Sequence, residues 1–103
     1  MKFDHIGVPT QDEHEWSSHL EGAKLHITDY SKDKFRVEWL KFADGSPMPK
    51  ELQEKAHIAF EVDDLDAELV GKNILIPPFE PFPGLRCAFI LHHGLAVEFM
   101  QKM

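Results

Sequence analysis

Apolar and polar residues alternate over residues 2–8, with Ile6 and Val8 on one side and Phe3, His5 and Gly7 on the other. That period of two is the pattern of a strand. Thr10-Gln11-Asp12-Glu13 then has the form of a capping box. It predicts a helix from Thr10 to about Glu21 that buries Trp16 and Leu20 and stops at Gly22. Two further strands are predicted over 24–30 and 35–42, joined by the polar turn Ser31-Lys32-Asp33. The stretch 44–55 holds Pro47 and Pro49 and reads as a connector, with Pro49 opening a short helical turn through Glu54.

The same order then begins again. A strand is predicted over 56–62, and Asp63 or Asp64 caps a short helix through Leu65 and Leu69 that ends at Gly71. Strands follow near 73–76, 85–91 and 95–101, the last two joined by a tight His92-His93-Gly94 turn. Between them, residues 77–84 contain four prolines, which excludes a central strand because proline donates no ladder hydrogen bond. This segment is expected to be a stiff loop, either a structural crossover or an aromatic pocket rim formed by Phe79 and Phe82.

The two halves are worn copies of one another. Asp4-His5-Ile6-Gly7-Val8 is echoed by Ala56-His57-Ile58-Ala59-Phe60, and Val37-Glu38-Trp39-Leu40 by Val97-Glu98-Phe99-Met100. Self-similarity at about fifty residues marks a duplicated supersecondary unit. His and Glu are 33 residues apart in the first half and 41 in the second, a difference of about one strand. The first half is therefore expected to be strand–helix–two strands, and the second strand–helix–three strands.

Composition narrows the class of partner. At 103 residues the chain is expected to form one domain, of module 1–43, connector 44–55 and module 56–103. Hydrophobic residues at 43% and charged residues at 28% are ordinary for a globular protein. A net charge of -7 without any Lys/Arg cluster argues against nucleic acid. Asp4 and His5 interrupt the start where a secretory signal is apolar, and no run approaches the roughly 20 apolar residues of a membrane span. Cys87 is the only cysteine and sits in an apolar run, so a small core residue in a cytoplasmic protein is expected.

Side-chain alternation then brings out candidate chemistry. Val37 and Trp39 point away from Glu38, Val97 and Phe99 away from Glu98, and Ile58 and Phe60 away from His57. The apolar rows suit the two helices, leaving His5, Glu38, His57 and Glu98 on the helix-free face. Buried carboxylates need a partner. A divalent cation answers two carboxylates and two neutral imidazoles, and the donor set suits Zn²⁺, Ni²⁺, Co²⁺, Mn²⁺ or Fe²⁺.

These residues resemble the vicinal oxygen chelate superfamily, which includes glyoxalase I, methylmalonyl-CoA epimerase, extradiol dioxygenases and bleomycin-resistance proteins. The resemblance rests on Asp-His-Ile-Gly-Val at 4–8, Val-Glu-Trp-Leu at 37–40, His-Ile-Ala-Phe-Glu-Val-Asp-Asp-Leu at 57–65 and Val-Glu-Phe-Met at 97–100. It implies an α+β fold of paired βαβββ modules forming a U-shaped sheet, here with the first module one strand short. It implies metal ligands at His5, Glu38, His57 and Glu98, a set similar to that of glyoxalase I, whereas the epimerases more often carry Gln at one Glu position. It also implies that Glu38 or Glu98 shuttles a proton, and that the chain forms a homodimer.

The expected function is accordingly a metal-dependent isomerase, epimerase or lyase acting on a small vicinal-oxygen substrate. The alternatives are a non-enzymatic small-molecule binding protein of the resistance type and an Fe(II) extradiol-type dioxygenase. Arg36, two residues before Glu38, shares its face by alternation and is a partner for that ligand or for an anionic substrate. His14 and His19 are expected on the solvated side of the first helix, His92 and His93 in a turn, and Asp63, Asp64 and Asp66 as helix-start charges.

Overall fold

A computed structural model describes residues 1–103, and the chain divides into two compact units, His5–Ala56 and Met1–Asp4 with His57–Met103. The first strand, β1 (Lys2–Pro9), passes from one to the other. The fold is α+β, with strands dominating.

In the unit His5–Ala56, β1 is followed by β2 (Ser18–Leu20), β3 (Leu25–Ile27) and β4 (Val37–Phe42), in the spatial order β2-β3-β4-β1. β1 and β4 are parallel, while β2–β3 and β3–β4 are antiparallel. Leu25, Ile27 and Leu40 form the buried core here, with Leu20, Ala23 and Phe42 packed against it. A short helix, α1 (Lys50–Glu54), starts after Pro49, as proline at a helix entry favours, and buries Leu52.

The expected helix from Thr10 to Glu21 does not form. Residues 10–17 are irregular and β2 takes the last part of the segment. The capping box is broken at both ends: the Thr10 hydroxyl accepts from the Asp12 amide rather than from residue 13. Glu13 accepts from the Trp16 indole and pairs with Lys41 on β4 instead of reaching back. Residues 10–17 thus attach to the sheet through the Glu13–Lys41 pair and, at either end, through the Thr10 and Ser17 amides, which donate to the Leu40 and Ile27 carbonyls. The first module consequently has four strands and is not one strand short; what it lacks is the helix.

The second unit continues through β5 (His57–Glu61), α2 (Leu65–Leu69), β6 (Ile74–Phe82), β7 (Leu85–His92) and β8 (Leu95–Lys102), in the spatial order β5-β8-β7-β6. β5 and β8 are parallel; β7 is antiparallel to both β8 and β6. The Asp64 carboxylate accepts from the Ala67 amide and caps α2. Leu65 and Leu69 then pack on Ala88, Ile90, Val97 and Phe99, where each fully buried large side chain contributes roughly 1.5–3 kcal/mol. The other parity of β7 and β8 builds a second layer from Cys87 and Met100, joined by Ala59 of β5. Cys87 is fully buried, a small core residue as expected.

Arg86 on β7 grips Asp66 of α2 with two parallel hydrogen bonds of 3.0 and 2.9 Å. That guanidinium holds the Asp66 carboxyl below the usual carboxylate range. β7 turns into β8 through His93 and Gly94, both with positive φ (49° and 86°), the backbone of a tight two-residue hairpin loop. The proline-rich segment is not a loop. It belongs to β6, the last strand of its unit, where three register shifts against β7 accommodate it. An outer strand needs its hydrogen bonds on one side only, so missing donors are tolerated there. Neither helix exceeds five residues, and no helix is long and apolar enough to cross a membrane.

Candidate functional site

Each unit presents one buried His beside one Glu, built by the same local device. In the first, parallel pairing sets Gly7 opposite Glu38, and His5 lies two residues before Gly7 on the same face. His5 is 2% exposed, and its Nε2 is 3.6 Å from Glu38 Oε1. In the second, parallel pairing sets Ala59 opposite Glu98, and His57 lies two residues before Ala59. His57 is 4% exposed, with its Nε2 3.2 Å from Glu98 Oε1.

Aromatic rings fix both imidazoles. The Tyr30 ring is stacked on His5 with centroids 4.1 Å apart, and the Arg36 guanidinium lies over Tyr30 at 5.1 Å. Arg36 has φ of 57°, so the strand's alternation does not extend back to it, and its carbonyl accepts from the Ile6 amide at 3.0 Å. Sequence reasoning put Arg36 near Glu38 by alternation; it is the left-handed backbone there that aims the guanidinium over Tyr30. In the second unit Phe89 stands edge-on to His57 at 5.2 Å, and Phe79 stacks on Phe89 at 6.3 Å. Phe79 of the proline-rich segment therefore does back the wall beside His57, whereas Phe82 is partly exposed, at 37%.

An imidazole nitrogen and a carboxylate oxygen held a few ångströms apart, away from bulk water, are a bidentate half-set for a borderline divalent metal. The carboxylate answers the charge of the cation and the ring packing fixes the imidazole's direction, so each pair fits such an ion chemically. Tyr30 was missed by sequence reasoning. It ends a predicted strand in a polar neighbourhood, and nothing in its spacing points to His5.

The remaining candidates resolve into structure. His14 and His19 are not on a helix: His14 stacks on Trp39 at 5.0 Å, and His19 on β2 faces His26 on β3 at 4.4 Å. His92 and His93 occupy the hairpin turn. Asp64 is a helix cap and Asp66 an ion-pair partner.

No family model and no curated protein matches the sequence. Solved structures do. The hypothetical protein BH1468 from Bacillus halodurans C-125 superposes with a TM-score of 0.73 at 21% identity, over 99% of this chain and 94% of that one. Methylmalonyl-CoA epimerase from Mycobacterium tuberculosis superposes with a TM-score of 0.66 at 17% identity, over 99% and 88%. With four strands in each module and alignment over almost the whole chain, the fold is the α+β glyoxalase-like fold of these two proteins.

Proposed function

We propose that His5, Glu38, His57 and Glu98 together ligate one divalent transition metal, and that the protein is a metal-dependent isomerase, epimerase or lyase acting on a small vicinal-oxygen substrate. The observation that supports this most is the equivalence of the two His–Glu pairs. The same register, Gly7 with Glu38 and Ala59 with Glu98, recurs in both modules with the His two residues upstream. Two buried imidazole–carboxylate pairs repeated in this way are hard to reconcile with a purely structural role, because polar burial without function is selected against by its desolvation cost. The likeness in fold to a protein named as an epimerase favours the proton-transfer class.

Bound there, a divalent metal supplies Lewis acidity toward the substrate's oxygens. The chain supplies the rest. His5 and His57, packed against Tyr30 and Phe89, set the direction of the imidazole donors. Glu38 or Glu98 accepts the proton from the carbon next to the substrate oxygens and returns it, as a general base and then acid. Tyr30 and Phe89, packed beside the two imidazoles, limit the access of water to the base without closing it off. The active form is a homodimer in this proposal, which light scattering at micromolar concentration checks.

Metal analysis by mass spectrometry on tag-free protein, purified without chelators, tests the site. About one equivalent per chain, lost in Glu98→Ala, is the expected result for a structural–catalytic ion. Exchange of a substrate α-proton with solvent deuterium across a panel of 2-oxo and 2-hydroxy acids then separates an enzyme from a binding protein. Absence of metal, with none taken up on titration, would refute the reading.

A further inference from the structure

The face of β4 turned away from Glu38 carries Val37 and Trp39, and the helix expected from residues 10–21 is missing from this module. Between the irregular segment 14–17 and the loop 28–33 lies an open cavity of about 400 Å³, contained within the unit His5–Ala56. That size falls in the range of about 300–1,000 Å³ usual for small-molecule sites.

Two indoles line it, Trp16 and Trp39. Both are held. Trp16 Nε1 donates to Glu13 Oε2 at 3.1 Å, and the Trp39 amide donates to Thr28 Oγ1 at 2.9 Å. His14 lies flat on Trp39, its plane within 9°, and stands edge-on to Trp16 at 5.6 Å. The polar lining includes three carboxylates, Glu15, Asp29 and Asp33, against one ammonium, Lys32. The loop fixes two of them: Ser31 donates to Asp29 Oδ1 from both its amide and its hydroxyl, and Asp33 Oδ1 accepts from the Phe35 and Val37 amides. The Ser31 hydrogen bonds also keep the Asp29 carboxyl below its usual range, so it is anionic at neutral pH.

Indole faces are electronegative and attract cations, the more so where water is partly excluded. A cavity walled by two indoles and an excess of carboxylates selects against anions, and its indole faces suit a weakly hydrated cation better than a small hydrated metal ion. We propose that it binds a small organic cation, an alkylated ammonium group that contacts Trp16 and Trp39 and is balanced by Glu15, Asp29 and Asp33. The net charge of -7 adds long-range attraction for such a ligand. This site uses none of the four proposed metal ligands and stands independently of that reading.

Trp16 and Trp39 are the chain's two tryptophans, so their indole N–H resonances report on the cavity without a label. The full-length protein is titrated with choline and with its neutral carbon isostere, 3,3-dimethylbutan-1-ol. Choline is expected to shift both indole resonances saturably, with the isostere at least ~10-fold weaker. Glu15→Gln weakens choline by about 3-fold and Lys32→Gln tightens it by about as much. Both side chains are exposed, so these variants fold as the parent does. Equal affinity for the two probes, no saturable shift with choline, or a choline response unchanged in both charge variants overturns the assignment.

Discussion

Tyr30 lies against His5, ring on ring, with centroids 4.1 Å apart and planes within 21° of parallel. The stack limits rotation of the imidazole, and residues that orient a metal-ligating His act through that restriction. Tyr30→Ala is therefore expected to weaken Zn²⁺ binding by about 10-fold, a typical effect of losing such support. Tyr30→Phe keeps the ring and is expected to bind close to the unmodified protein. Competition against a chelating dye measures both, and an unchanged affinity in Tyr30→Ala would remove Tyr30 from the site.

Replacing either carboxylate with its amide separates holding a metal from moving a proton. Glu38→Gln and Glu98→Gln each retain an oxygen donor. The variant that removes the base is expected to keep metal but to lose α-proton exchange by about 10²–10⁴-fold. Deuterium exchange followed by NMR, with metal content measured on the same samples, identifies which Glu it is. Full exchange in both variants would exclude a carboxylate base at these positions.

The Asp66–Arg86 pair makes a pH prediction whose sign is fixed. Arg86 lowers the Asp66 pKa from its ordinary 3.8, so the pair's stabilisation is present above that value and is lost as pH falls through the lower, folded-state value. Asp66→Asn is expected to melt slightly below the parent at pH 7, with the gap closing in acid below pH 3.8. Asp66 is exposed and Arg86 only half-buried, so the gap should also shrink in high salt. Thermal melts across pH and salt test this; a gap that persists in acid would mean that Asp66 acts through packing.

Leu65 is fully buried under β7 and β8 at the start of α2, and its amide, at the helix start, donates to Gln101 Oε1 at 2.8 Å. Leu65→Ala opens a cavity beneath the helix and is expected to cost about 2–5 kcal/mol. Urea denaturation followed by circular dichroism measures the loss. A cost under about 1 kcal/mol would show that the surrounding side chains collapse into the space.

The His–Glu pairs were legible in the sequence because strand alternation is a strict rule and each motif occurs twice. Alternation gave the face of each residue; it is the parallel register, Gly7 with Glu38 and Ala59 with Glu98, that brings His5 to Glu38 and His57 to Glu98. Three features were not legible, each for a local reason. Thr10 and Glu13 have the spacing of a helix start, but their side chains found nearer partners in Asp12, Trp16 and Lys41. Prolines 77, 78 and 81 looked incompatible with a strand, and only the position of β6 beside a single neighbour makes them tolerable. The left-handed backbone at Arg36, a conformation rare for residues with a side chain, interrupted the alternation that would have placed its guanidinium.

Those prolines have a consequence for how the protein behaves when crowded. Three of the nine residues of β6 have no N–H to offer, and its backbone is already bent by repeated register shifts. An exposed outer strand ordinarily invites a strand from another molecule, the first step toward fibrils. A chain arriving at β6 would meet a ladder with rungs missing at irregular intervals. The segment that looks least like a strand thus acts as a terminator, closing this end of the sheet to runaway growth.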